Sequence, residues 1–145
     1  MSVLLNLDTQ NNFQAKIILT YTKCKLKTTI FVLEITFTNK KFEKLANDDR
    51  KLVKEFGKIR AGKISTRLTQ LRSAATLEDV RHLPGNFHEL TANRKGQWAC
   101  DLDQPYRLIF TPHENPIPKN EHGAYVWMEI SGVEVIQVIN YHKEK

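Results

Sequence analysis

Apolar residues recur along this chain in a rhythm that changes twice. "FVLEITFT", residues 31 to 38, alternates apolar with polar positions as a strand does, and Asn39 after it can cap a helix. In "KKFEKLANDDRKLVKEFG", Phe42, Leu45, Leu52, Val53 and Phe56 return at helical spacing, and Gly57 supplies a stop. A second helix follows, with Ile64, Leu68, Leu71 and Ala75 along one face and Lys58, Arg60, Lys63, Arg67 and Arg72 on the other. "TLEDVRHLPG" opens with Thr76 and Asp79 at capping-box spacing and closes on Pro84-Gly85, which reads as a short helix or turn.

After Gly85 the period shortens to two. "GQWACDLD" sets Trp98, Cys100 and Leu102 against Ala99, Asp101 and Asp103, and "YRLIF" follows across a Gln104-Pro105 corner. "TPHENPIPKNEHGA" is a loop by composition, and "YVWMEISGVEVIQVIN" reads as a last long strand broken at Ser131-Gly132. The order predicts an α+β domain, a strand then two helices packed on one face of a small antiparallel sheet whose other face stays free. Residues 1 to 32 stand apart: they have no Glu, Gly or Pro, and their extended-looking stretch has no visible turn to fold it back. They read as an appendage, with the working domain at residues 33–145 and translation expected to begin near Leu33.

At 145 residues the chain suits one domain. Its longest apolar stretches fall short of a membrane span, and no charged-then-apolar leader opens it. Cys24 and Cys100 are far apart, which argues against a disulfide framework or a zinc cage and fits the cytoplasm. A net charge of +6 favours an anionic partner such as nucleic acid, though a moderate excess is shared by many bland proteins.

The five histidines are the next place to look for chemistry. No pair sits at i, i+4 and no cysteine joins them at ligand spacing, so a metal site is not expected. His113 and His122 fall in the Pro-rich loop and read as exposed loop residues, while His82 reads as a helix-terminal cap. His88 and His142 sit at strand edges. His142 in "VINYHKEK" reads, on its own, as a solvated tail residue. Arg107, a guanidinium in mid-strand, reads on its own as a surface residue paired with Asp101 or Asp103 on the neighbouring strand.

The combined pattern is more specific than its parts. "HELTANRKGQWACDLDQPYRLIF", residues 88 to 110, together with Asn140-Tyr141-His142, resembles the HigB branch of the RelE/ParE toxin superfamily. That branch carries His-x-Leu-x-Gly-Asp-Arg-x-Gly, then an aromatic-Arg pair, and closes on Asp-Tyr-His. His88, Leu90, Arg94, Gly96, Tyr106-Arg107 and Tyr141-His142 match it, and "EITFTNKKFEKL" resembles how these toxins begin. Asn140 stands in place of the aspartate and Ala92-Asn93 in place of Gly-Asp. Ala99 and Asp101 occupy strand positions where RelE carries lysines.

The resemblance implies a RelE-like fold and the toxin of a type II toxin-antitoxin system, an endoribonuclease that enters the ribosomal A site and cuts translated mRNA. Such cleavage needs no metal and no cofactor, because the 2′-oxygen of RNA attacks its own phosphate. His88 and His142 would share the acid and base roles, in an order left open. Arg107 would offer two donors to the phosphate, and Tyr141 would orient it or stack a base. Arg94, Lys95 and Asn140, with Lys58, Lys63 and Arg67 on the helix, would contact RNA. The implied partners are a HigA-like helix-turn-helix antitoxin, operator DNA only through that antitoxin, the ribosome and mRNA, and no membrane. Two other readings stand beside this one: a ParE-like gyrase poison, and an inactive homologue that only binds antitoxin and operator DNA.

Overall fold

The computed structural model of the protein describes residues 19–22, 25–28 and 32–143, with side chains from residue 32 onward. Strands β1 (Leu19–Thr22) and β2 (Lys25–Thr28) pair antiparallel with each other, Leu19 opposite Thr28. The stretch expected to lack a turn therefore does fold back, and pairing satisfies backbone groups that a lone strand would leave open. Residues 23 and 24 lie outside the described residues.

The main sheet holds β3 (Glu34–Phe37), β4 (His88–Glu89), β5 (Trp98–Asp101), β6 (Tyr106–Pro112) and β7 (Gly132–Asn140) in the order β3-β7-β6-β5-β4. β3 runs parallel to β7 and the other pairs are antiparallel, so the sheet is mixed rather than antiparallel. A parallel neighbour needs a long connection, and everything from α1 onward supplies one. The final strand begins only at Gly132, because Trp127–Glu129 form a 3-10 turn that brings the Trp127 ring edge-on to Trp98 at 5.4 Å.

Three helices precede the meander, not two: α1 (Lys40–Ala46), α2 (Asp49–Phe56) and α3 (Lys58–Ser73). Asn39 caps α1 as expected, accepting from Lys41 N at 2.7 Å. The long first helix breaks because Asp48 caps a new one, accepting from Arg50 N and Lys51 N at 3.1 and 3.2 Å. Gly57 ends α2 at φ +78°, a conformation that glycine takes without a Cβ penalty. Thr76 and Asp79 form the expected contact, with Thr76 N donating to Asp79 Oδ2 at 2.8 Å. The core joins Phe42, Leu52, Ile64, Leu68 and Leu71 of the helices to Trp98, Cys100, Leu108, Phe110, Val133 and Val135 of the sheet. Ala75 is exposed past the end of α3, and Ala74 is buried in its stead.

Two arginines of α3 point inward. Arg67 is only 9% exposed. It donates from Nε to the Asp101 carbonyl at 2.8 Å, and from Nη1 to Gln70 Oε1 at 2.9 Å and the Pro84 carbonyl at 3.0 Å. Gly85 sits against it at φ +122°, where a Cβ would come within 2.5 Å of Arg67 Cζ. This removes Arg67 from the solvent-facing basic stripe to which sequence alone assigned it. Arg60 forks onto Asp103, Nε to Oδ1 at 2.9 Å and Nη2 to Oδ2 at 3.0 Å, with Cζ 3.3 Å from the centroid of the Tyr106 ring. That hydrogen-bonded fork holds the Asp103 carboxyl below its ordinary value and the Arg60 guanidinium above its own.

Arg67→Ala strands the Asp101 and Pro84 carbonyls, and urea unfolding will show a loss of about 3 kcal/mol. Lys58→Ala and Lys63→Ala, on the exposed face of the same helix, will each shift stability by less than about 0.5 kcal/mol. For Asp103 the folded pKa is depressed, so the stability it supplies is present above the ordinary 3.8 and lost as pH falls through the folded value. Asp103→Asn will therefore cost about 1 kcal/mol at pH 7. The gap from the parent should close in unfolding curves taken below pH 3.8.

Candidate active site

Alternation along the strands divides the sheet residues between two faces. Leu108 and Phe110 turn to the helices with Trp98 and Cys100. Arg107 lies in the next row, between Asp101 of β5 and Ile139 of β7. Beside it, Ala99 and Ile109 pair directly, and with Ile139 they form a second buried cluster against which Leu90 and Ile136 pack. The face expected to be free thus carries an apolar floor, to which no helix contributes among the described residues.

Arg107 stands at the edge of that floor. Its Nε donates to Asp101 Oδ1 at 3.1 Å, and its Cζ lies 4.1 Å from the centroid of the Tyr141 ring. The pairing with Asp101 weighed from sequence is therefore present, yet it engages only the inner nitrogen of the guanidinium. Tyr141 continues the β7 pairing one residue past the strand, its N donating to the Pro105 carbonyl at 3.0 Å, and its side chain is exposed. His142 follows, exposed, with its backbone N bound to Asn140 Oδ1 at 3.1 Å. A cation, an aromatic ring and an imidazole thus succeed one another at one end of β6 and β7.

Other expected site residues are placed differently. Asn140 pairs with Tyr106 rather than Arg107, so its side chain belongs to the helix-side row and holds the turn to His142. It does not share the Arg107 face. His88 pairs with Ala99 and so shares the Arg107 face, and its Nδ1–H donates to the Asn86 carbonyl at 2.7 Å. It lies two strands from Arg107 and three from β7. At normal strand spacing that is roughly 10 Å from Arg107 and farther from His142. The sheet puts His88 on the Arg107 face, three strands from β7, while His142 lies in the turn past β7, so the two histidines are not brought together.

Arg94 and Lys95 lie at the distal turn of the β4–β5 hairpin, where Arg94 Nη1 donates to Gln97 Oε1 at 3.1 Å. Gln97 precedes Asp101 by four residues, so this turn is roughly 13 Å along the sheet from the Arg107 row. Lys95 Nζ lies 6.0 Å from the centroid of the Tyr125 ring. Lys58 and Lys63 are exposed on α3. His113 is exposed, as expected, and its ring also packs on Gly132 and hydrogen-bonds Thr36 Oγ1, tying the end of β6 to the β3–β7 edge. Cys100 is buried, and burial pushes its thiol far up, which makes it a core residue and not a nucleophile.

Sequence reasoning passed over Asn86. Its Nδ2 donates to Asp101 Oδ2 at 3.0 Å while its carbonyl accepts from His88. The residue adopts φ +52°, and the Pro84-Gly85-Asn86 turn was the only local signal. Asp101 is held at both main-chain atoms as well, its N donating to the Gly85 carbonyl at 2.8 Å and its carbonyl accepting from Arg67.

No family model matches the chain, and no curated protein matches it. Among solved structures it is similar to the YoeB-YefM complex from Staphylococcus aureus, at 18% identity over 73% of this chain and 93% of that one, with a TM-score of 0.46. It is similar as well to the YoeB dimer from Staphylococcus aureus, at 18% identity over 72% of this chain and 92% of that one, with a TM-score of 0.44.

Proposed function

We propose that this chain is an RNA-cleaving toxin of the RelE/ParE kind, of the HigB branch, which cuts mRNA in the ribosomal A site and is restrained by an antitoxin. One observation carries the reading. Among the described residues Arg107 is held by Asp101 through Nε alone, on the sheet face opposite the helices, under the ring of Tyr141, which His142 follows in the chain. A guanidinium held in this way keeps its terminal N–H groups for a phosphate, and it needs no reorganisation to meet charge building on a phosphorane.

RNA brings its own nucleophile. The 2′-oxygen attacks the adjacent phosphorus in line, the P–O5′ bond breaks, and a 2′,3′-cyclic phosphate and a 5′-hydroxyl result. Arg107 steadies the phosphorane, Tyr141 stacks a base or orients the phosphate, and His142 moves a proton at one of the two oxygens. His88 meets the next stretch of the strand, and the second proton is exchanged with water. Lys58 and Lys63, with Arg94 and Lys95, supply positive charge to backbone phosphates of mRNA or ribosomal RNA. The working unit begins at Leu33, which is 2% exposed and donates its N to the Ala74 carbonyl at 2.8 Å.

The separation of His88 from His142 favours one second reading, a homologue that binds RNA and antitoxin without cutting. Translating ribosomes programmed with a defined mRNA separate the two. The nuclease reading expects site-limited cleavage by the parent and little on the same RNA free in solution. Arg107→Ala and His142→Ala should each lower the rate about a hundredfold or more at unchanged melting temperature. Parent protein that binds ribosomes and leaves mRNA whole would establish the binding-only reading. A chain started at Leu33 should arrest growth on induction as the full chain does, and harmlessness of the shortened chain would return residues 1 to 32 to the working protein.

A further inference from the structure

Among the described residues, two arginine–carboxylate pairs that join separate elements differ in build, and the difference points to a residue that acts on Arg107 from behind; a third pair, Arg81–Glu78, lies within one exposed turn. Arg60 and Asp103 form a closed fork, with Nε on Oδ1 at 2.9 Å and Nη2 on Oδ2 at 3.0 Å. Arg107 and Asp101 share a similar exposure, at 21% and 23% against 22% and 27% for the other pair, yet they form only half of a fork. The second oxygen of Asp101 is occupied by Asn86 Nδ2 at 3.0 Å. A bidentate fork is the common geometry of an arginine beside a carboxylate; Arg81 also meets Glu78 through Nε alone, but on an exposed turn, whereas at Asp101 the Asn86 bond fixes how the carboxylate is turned toward Arg107.

We propose that Asn86 is a positioning residue that keeps Arg107 available to a phosphate by occupying the Asp101 oxygen on which the guanidinium would otherwise close. The inference rests on the nuclease reading for its consequence and on the geometry alone for its cause. The turn that carries Asn86 is itself fixed: Arg67 binds the Pro84 carbonyl, Gly85 packs on the Arg67 guanidinium, and the Gly85 carbonyl accepts from Asp101 N. An asparagine suits the post because it tolerates the φ of +52° found here and presents a donor without a charge. Its main-chain carbonyl anchors His88 Nδ1–H in the same turn, which leaves Nε2 as the unprotonated nitrogen of the neutral ring.

The test uses the full chain and a sign that a merely structural role would not produce. In Asn86→Ala the Asp101 carboxylate is released to take a second guanidinium nitrogen. The rate constant for ribosome-bound mRNA cleavage should then fall about ten- to a hundredfold, with KM little changed. Adding Asp101→Asn removes the competing charge and one acceptor, so the double variant should recover to within about threefold of the parent, against the additive loss expected of two packing defects. A crystal structure of Asn86→Ala supplies the readout that does not depend on activity: Arg107 Nη should lie within hydrogen-bond distance of Asp101 Oδ2. An Asn86→Ala protein with an open Arg107 overturns the proposal. So does one in which Asp101→Asn only deepens the loss. If the parent cuts no RNA while the variant's fork closes, the positioning stands and the nuclease reading alone fails.

Discussion

The guanidinium of Arg67 joins helix, sheet and site. It is buried on α3, and its hydrogen bonds end on the main chain at Asp101 and Pro84 and on the Gln70 side chain. Leaving such a group unpaired in the interior costs several kcal/mol, so the β5 end and the Pro84–Asn86 turn have to stay where they satisfy it. Gly85 completes the fit, since a side chain there would occupy the guanidinium's place. Asp101 and Asn86, which stand behind Arg107, are therefore set by an arginine that is nearly buried.

The sheet face opposite the described helices is organised along one diagonal. The Ala99–Ile109–Ile139 floor is apolar and buried, with the Asp101–Arg107–Tyr141 group beside it and His88 on the far side. Charge is thus concentrated at one end of the face and presented on strands, which hold side chains more rigidly than loops do. Lys95 lies at the distal β4–β5 turn, whereas Lys63 of α3 is close enough to Asp103 to favour its carboxylate.

Local signals were legible and distant ones were not. Asn39, Gly57 and the Thr76–Asp79 spacing each announce a contact within four residues, and the structure contains them. The break between α1 and α2 was written in Asn47-Asp48, a capping pair inside an otherwise helical rhythm. The inward arginines were legible as phase: Arg60, Ile64, Arg67 and Leu71 step by four, three and four, whereas Lys58 and Lys63 fall out of step. Charge class hid this, because lysine and arginine were read as one stripe. The parallel β3–β7 pair and the Asn86–Asp101 bond could not be read, since each joins residues whose partnership depends on the whole fold. Ala92 holds φ +54° where the resembling toxins have glycine, a demand of the turn that the substitution concealed.

The proposed chemistry has RNA at the Arg107 face cut by its own 2′-oxygen. A ribosome-bound mRNA carrying a single 2′-deoxy nucleotide at the cleaved position tests it most directly. The account predicts that the modified message survives while the all-ribose control yields fragments beginning with a 5′-hydroxyl. Cleavage of the deoxy message at the same position, or fragments beginning with a 5′-phosphate, would contradict it.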